Sequence, residues 1–436
     1  MKKTLMLSSL LAVVTMAAGT TGSVEFFNEN TGSFDAGQTK GVYTVNKAGV
    51  KTEVKVKDTG LSFGGEFKVE DVKVPMEQNK LLNNLFNHSN VFVKYDLPEI
   101  KGVNSYVKGT LNPKVDDALN FKKGNAELEA DVNYEVAKGL KLGVNTKTTF
   151  PFEGTDYAKA VTSTHKAYVK GNYAPLKDIK AEVEVKHSYK STPKTNDALK
   201  YVSLLAEAKY DVMKDLELNG QFRFKHQFND EMNFKDQYLG DKDLFEKKKE
   251  FKGDIDYIHS YALGMKYGGM KNTEINATAF VNHMNKFKLF ANSFTSDNYV
   301  SYGIMADVKY MGVENVTLVG KTTISGISNI FKTKTTTLSN HTGLFGIGLG
   351  AKYDYKVSDK FVVSPEFNLD SKIVVNKMST YSYLTLTPKV SAEYKPAESL
   401  VVKGEVSVPV NFKGTLDNFK YTNTSVKTAL NIKYEW

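Results

Sequence analysis

The sequence predicts an all-β chain: a transmembrane, antiparallel, up-and-down β-barrel of about 18–20 strands, with about 16 also allowed, short periplasmic turns and longer extracellular loops. Three observations predict it. Segments of ten or more residues alternate apolar with polar side chains, and a Tyr beside a short turn returns about every 40 residues. The third is composition: 24 Tyr and 26 Phe stand in a chain that is only 41 % hydrophobic, below the roughly 45–50 % of ordinary globular proteins. Such a chain can cover an apolar outer surface without owning a conventional dry core. A helical membrane protein is excluded, because mean hydropathy is −0.36. Past residue 22, no run approaches the roughly 20 apolar residues that a spanning helix needs.

Taken in order, residues 1–19 have the three parts of a secretory signal: Lys2 and Lys3, the apolar stretch from Leu5 to Met16, and the small residues Ala17, Ala18 and Gly19 at a cleavage site. Cleavage would leave 20–436 as a single barrel domain and lower the formal net charge from +9 to about +7. The chain has no cysteine, so neither a disulfide nor a lipid on cysteine is available to it.

Residues 24–57 read as a first hairpin, and 61–73 as the strand after the Asp58-Thr59-Gly60 turn. In 126–134, Glu127, Glu129 and Asp131 share one parity. In 140–150, Leu140, Leu142, Val144 and Phe150 oppose Lys141, Asn145 and Lys147. Segment 179–189 sets Ile179, Ala181, Val183 and Val185 against Lys180, Glu182, Glu184 and Lys186. Segment 216–228 sets Leu218, Phe222 and Phe224 against Glu217, Arg223 and Lys225, and 402–412 places Lys403 and Glu405 on its wet face. At helical spacing these charges would ring the whole cylinder, so a period of two is the only pattern with a clean face. Pro365, Pro388 and Pro409 fall inside predicted strands, where a residue without an N–H donor suggests local bulges.

The Tyr residues beside turns are Tyr95, Tyr134, Tyr173, Tyr210, Tyr267, Tyr310, Tyr355, Tyr394 and Tyr434, separated by 39, 39, 37, 57, 43, 45, 39 and 40 residues. One such unit holds two long strands, whereas a propeller blade holds four short ones, so the repeat is a hairpin. In a bilayer these rings would form the periplasmic aromatic girdle. The last strand puts Val426, Thr428, Leu430, Ile432, Tyr434 and Trp436 on one parity, and Trp436 is the only Trp.

With that ending, the chain resembles bacterial outer-membrane barrels, whose last strand commonly ends in Phe or Trp. The resemblance implies that Tyr434 and Trp436 form the signal read by the barrel assembly machinery. The Lys- and Tyr-rich hairpins are also similar in style to the major outer-membrane porins of fusobacteria and their relatives. This implies passive diffusion of small hydrophilic solutes and ions, often through a homotrimer set in outer-membrane lipids.

A barrel of this size encloses water or a plug. The longest interval, Asp230 to Asp256, carries Lys242, Glu246, Lys247, Lys248 and Lys249 and is the candidate constriction loop, folded inward or capping the surface. The wet-parity residues Glu127, Glu129, Asp131, Lys141, Lys147, Lys180, Glu182, Glu184, Lys186, Glu217, Arg223, Lys225, Lys403 and Glu405 are the candidate pore lining, with Lys427 beside them. Their near balance predicts a weak anion preference at most. The rival reading is an adhesin or structural envelope protein acting through loops 151–164, 190–199, 230–256 and 329–342.

Nucleic acid is not an expected partner, because export and two-faced strands argue against it. No catalytic residue, metal site or cofactor is expected. His88, His165, His187, His226, His259, His283 and His341 are scattered in sequence, and adjacent residues such as His187 and Ser188 point to opposite faces of a strand.

Overall fold

The computed structural model describes residues 19–38, 41–75, 78–115, 123–137, 139–153, 161–173, 179–190, 199–227, 239, 257–285, 298–331, 341–376, 380–415 and 418–436. The first strand begins directly after the predicted cleavage site. The order is β1 (Thr20–Asp35), β2 (Val42–Val56), β3 (Leu61–Val74), helix α1 (Gln78–Asn87), β4 (Asn90–Ile100), β5 (Val103–Lys114), β6 (Lys123–Ala137) and β7 (Leu140–Glu153). There follow β8 (Thr162–Tyr173), β9 (Ile179–Lys190), β10 (Leu199–Met213), β11 (Leu216–Gln227), β12 (Tyr257–Tyr267), β13 (Thr273–Asn285), β14 (Asn298–Tyr310) and β15 (Val316–Phe331). The chain ends with β16 (Thr342–Tyr353), β17 (Tyr355–Ser358), β18 (Phe361–Asn376), β19 (Thr380–Ala397), β20 (Leu400–Ser407), β21 (Val410–Thr415) and β22 (Asn418–Glu435).

These 22 segments form one sheet. Apart from β16 with β17 and β20 with β21, which do not pair with each other, each pairs antiparallel with its neighbours in sequence, and β22 returns to pair with β1 from Ser23↔Glu435 to Asp35↔Asn423. The sheet is therefore closed. Because β16 with β17, and β20 with β21, are each one interrupted strand, the 22 segments make 20 staves. This is the upper end of the predicted range, and it excludes 16. At the seam, Gly22 and Trp436 exchange both backbone hydrogen bonds at 3.1 Å. A Cβ on residue 22 would lie 2.6 Å from Trp436 Cζ2, so only glycine leaves room for that ring, which stacks on Tyr434 at 6.0 Å.

The prolines do not produce the expected bulges. Pro365 faces Val390 and Pro388 faces Phe367 without a register shift. Ser407 faces Lys389 and Val410 faces Leu386, so the register also runs unbroken through Pro409. Pro409 still accepts from Ser425 N–H at 3.0 Å, and Val408 N–H donates to Pro388 at 2.9 Å. A proline thus forfeits one donor while its carbonyl keeps the ladder.

One end of the barrel carries the short turns, such as Lys101-Gly102 with both φ positive, as a two-residue hairpin requires. The tyrosines expected to form a girdle stand at this end. Tyr95, Tyr134, Tyr210, Tyr310, Tyr355 and Tyr394 are exposed among the outward apolar side chains, Tyr267 and Tyr434 are half-buried, and Tyr173 is placed there by register.

Helix α1 was not anticipated. β4 pairs with β3 only from Leu61↔Tyr95 to Glu66↔Asn90, which leaves the far end of β3 without a strand beside it. Asn84 of α1 takes that place: its Oδ1 accepts from Glu70 N–H at 2.8 Å and its Nδ2 donates to Glu70 C=O at 2.7 Å. Ser89 Oγ accepts from Lys68 N–H at 3.2 Å. On the other flank, Asn87 Oδ1 accepts from Val115 N–H at 3.0 Å, and Asn83 Nδ2 donates to Val115 C=O at 3.3 Å. The helix closes a gap in the wall by offering amide side chains where a strand would offer peptides.

Candidate functional site: the inner wall

Alternation divides the closed sheet into two surfaces. Val93, Val107, Leu128, Val132, Leu142, Val144, Leu218, Leu263, Ile304, Ile324 and Leu349 are exposed and share the convex face. The opposite parity faces inward and carries the charges. Twenty staves about 4.8 Å apart and tilted about 40° enclose a radius of about 20 Å, too wide for side chains to fill.

From β3 to β8 the inner wall is a charged network. Lys147 Nζ lies 2.7 Å from Glu127 Oε2. Glu129 accepts from the Tyr106 hydroxyl at 2.8 Å and from Asn145 Nδ2 at 2.9 Å. Asp131, 7 % exposed, accepts from the Tyr168 hydroxyl at 3.0 Å and from Asn133 Nδ2 at 3.0 Å. Lys94 sits over the Tyr106 ring at 4.5 Å, and Lys108 over Phe92 at 4.6 Å. Lys141 faces Glu135 in register. The predicted residues Glu127, Glu129, Asp131 and Lys147 are therefore brought together by neighbouring strands. Parity had placed most Phe outward, yet inward aromatic rings lie under lysines, a pairing visible only once register is known.

Elsewhere the placement is similar. Lys180, Glu182, Glu184 and Lys186 share one face of β9, opposite Asn172, Lys170, Tyr168 and Lys166. Glu217 Oε1 lies 3.6 Å from Lys209 Nζ. Arg223 faces Ser260, and the buried Lys225 faces Ile258. Lys403 pairs with Glu393 at 2.9 Å and Glu405 with Lys389 at 2.9 Å.

A different surface covers the inner face of β12–β16 toward the loop end. Ile258, Ser260, Asn282, Met284, Ser301 and Ile327 are each 0 % exposed, and Phe280, Tyr299 and Leu344 are buried beside them. This stretch holds uncharged residues only. Leu239, from the connection between β11 and β12, docks on it: its N–H donates to Asn282 Oδ1 at 2.9 Å, and its C=O accepts from Asn282 Nδ2 at 2.7 Å. Leu239 itself is therefore placed against the inner face. Lys242, Glu246, Lys247, Lys248 and Lys249 lie outside the described residues.

Three of the scattered histidines meet on the convex face. His259 and His283 rings are 6.1 Å apart, and Tyr257 joins them to His226, at 4.9 Å from His259 and 6.0 Å from His226. Among the described residues, no group of three or more His, Cys, Asp or Glu is placed to hold a metal ion.

No family model and no curated protein matches the sequence. Solved structures with a similar course are outer-membrane proteins. OccK1 of Pseudomonas aeruginosa is 10 % identical, with 96 % of this chain and 99 % of that chain covered and a TM-score of 0.45. OccK3 of the same organism is 8 % identical over 97 % and 98 %, also with a TM-score of 0.45. OmpT of Vibrio cholerae is 10 % identical over 96 % and 99 %, with a TM-score of 0.36. At these scores the likeness carries no functional weight, and function is read from the molecule's own surfaces.

Proposed function

We propose that the protein is an outer-membrane porin, a water-filled channel for passive diffusion of small hydrophilic solutes and ions. One observation carries this reading: a closed ring of 20 staves whose convex face is apolar and whose inner wall is lined with charged groups that need water. Opposite charges meet across neighbouring strands of the wall, which supports little ionic preference, with a slight lean to anions from the net positive charge. The segment that docks at Leu239 would narrow the lumen from one side. Export by the 1–19 signal, insertion through the strand ending in Tyr434 and Trp436, lipid contact at the Tyr girdle and assembly as a homotrimer belong to the same proposal. The hairpin style supports a place near the fusobacterial porins.

The test is refolding of residues 20–436 in detergent, confirmation of heat-modifiable gel mobility, and single-channel recording across a planar bilayer in a salt gradient. Large stepwise conductance with a reversal potential slightly toward the anion value is the expected result. A folded barrel that passes no current would overturn the porin reading and favour an adhesive or structural role.

A further inference from the structure

A groove of about 370 Å³ opens on the inner wall between β15 and β20, and Asn282, which holds Leu239, is not among its lining residues. Its volume falls in the about 300–1,000 Å³ range of small-molecule sites. Two kinds of charge line it. Lys389 is engaged, with Glu405 at 2.9 Å and Glu366 at 3.8 Å. Lys321 and Asp370 are not: both face Gly348 in register, from β15 and β18, and neither has an ion-pair partner among the described residues. Two strand spacings, about 9–10 Å, separate their backbones across that glycine.

The floor between them is bare. A Cβ on residue 348 would meet Asp370 Oδ1 at 2.9 Å, and one on residue 350 would meet Asn368 Oδ1 at 2.6 Å. Both side chains therefore lie across the space a side chain of β16 would fill. The groove holds a cation on one bank, an anion and a carboxamide on the other, and the hydroxyls of Thr387 and Ser407 among its lining. A purely anionic solute would meet Asp370, Glu366 and Glu405, and a purely cationic one would meet Lys321. A solute with both charges satisfies both banks.

We propose that this groove is a binding site for small zwitterions of the amino-acid type, with the ligand carboxylate on Lys321 and its ammonium on Asp370 and Asn368. The proposal rests on the channel reading only in needing a water-filled lumen. It makes the channel a facilitator for one class of solute.

The test is equilibrium dialysis of radiolabelled L-alanine against the refolded barrel in detergent micelles, which needs no conduction. Saturable binding is expected, with lactate and glycerol competing poorly. Lys321→Gln and Asp370→Asn should each weaken binding roughly tenfold, the loss of one charge-assisted contact. Exchanging the charges, Lys321→Asp with Asp370→Lys, should restore it, which a merely structural role would not do. Absent or non-saturable L-alanine binding, equal competition by lactate, or binding indifferent to both single changes would overturn the proposal. Conductance recorded on the same preparations separates the two readings: a conducting barrel that binds no L-alanine keeps the porin and loses the site. A silent barrel that binds it does the reverse.

Discussion

Two stretches of the same inner wall obey the same alternation and end up in opposite conditions. From β3 to β8 the inward residues are lysines, acids and tyrosines, cross-linked yet reaching water. From β12 to β16, toward the loop end only, they are Ser, Asn, Ile, Met and Leu, fully covered, with Leu239 seated on Asn282. The difference lies in what each wall lets approach. A charge must keep its hydration or be paired, so a charged wall stays open. An uncharged wall of small side chains can receive another piece of backbone, provided an amide is there to answer its N–H and C=O. Both regions use the same device, since Asn84 holds Glu70 of β3 in the charged region as Asn282 holds Leu239 in the dry one.

The largest expected break in this contrast comes from putting a charge on the dry wall. Ser301→Asp would bury an unpaired carboxylate at a site with no exposure, at about 3 kcal/mol or more, and the dock would open rather than accept it. Single-channel conductance should rise well above wild type, and an unchanged conductance in a folded variant would show that the docked segment does not narrow the pore. Asn282→Ala comes next. It strips two hydrogen bonds from Leu239 and should cost about 2–3 kcal/mol, read as an earlier heat-induced gel shift together with larger conductance.

Asn84→Ala should cost about 1–2 kcal/mol, because the freed Glu70 peptide is only partly buried and water can replace its partner. Faster hydrogen exchange confined to β3 and α1 would confirm it, and exchange spread evenly over the barrel would not. The smallest structural effect belongs to the charged wall. Glu127→Gln, whose Lys147 partner is substantially exposed, should change stability by less than about 1 kcal/mol. Combined with Glu129→Gln and Asp131→Asn, it should move the reversal potential toward anions. That shift should fade at about 1 M salt, where screening acts over about 3 Å. A shift persisting there would mean the carboxylates act by shape and not by field.

Much of this was legible in the sequence. Parity alone put Glu127, Glu129 and Asp131 on the face shared with Lys147, because a strand has only two sides. The Tyr positions marked the short turns from the β4–β5 hairpin onward, though not the Asp58-Thr59-Gly60 turn, since each hairpin repeats one local instruction. The dock at Asn282 was not legible: within β13 it reads as one more wet-parity residue, and its partner Leu239 lies 43 positions away. Nor was α1, whose sequence QNKLLNNLFN is rich in Asn, a poor helix former in isolation. Its helical state depends on bonds from those amides to β3 and β5.

By itself, then, the sequence determined the class of fold, the two faces and the turns, since these follow from periods of two and of about 40 residues that any short window displays. Only the tertiary structure decided that the staves number 20, that Trp436 closes the ring over Gly22, and which part of the inner wall stays wet. Closure, docking and the opposition of Lys321 to Asp370 depend on residues distant in the chain, which meet only when registers accumulated strand by strand bring them level.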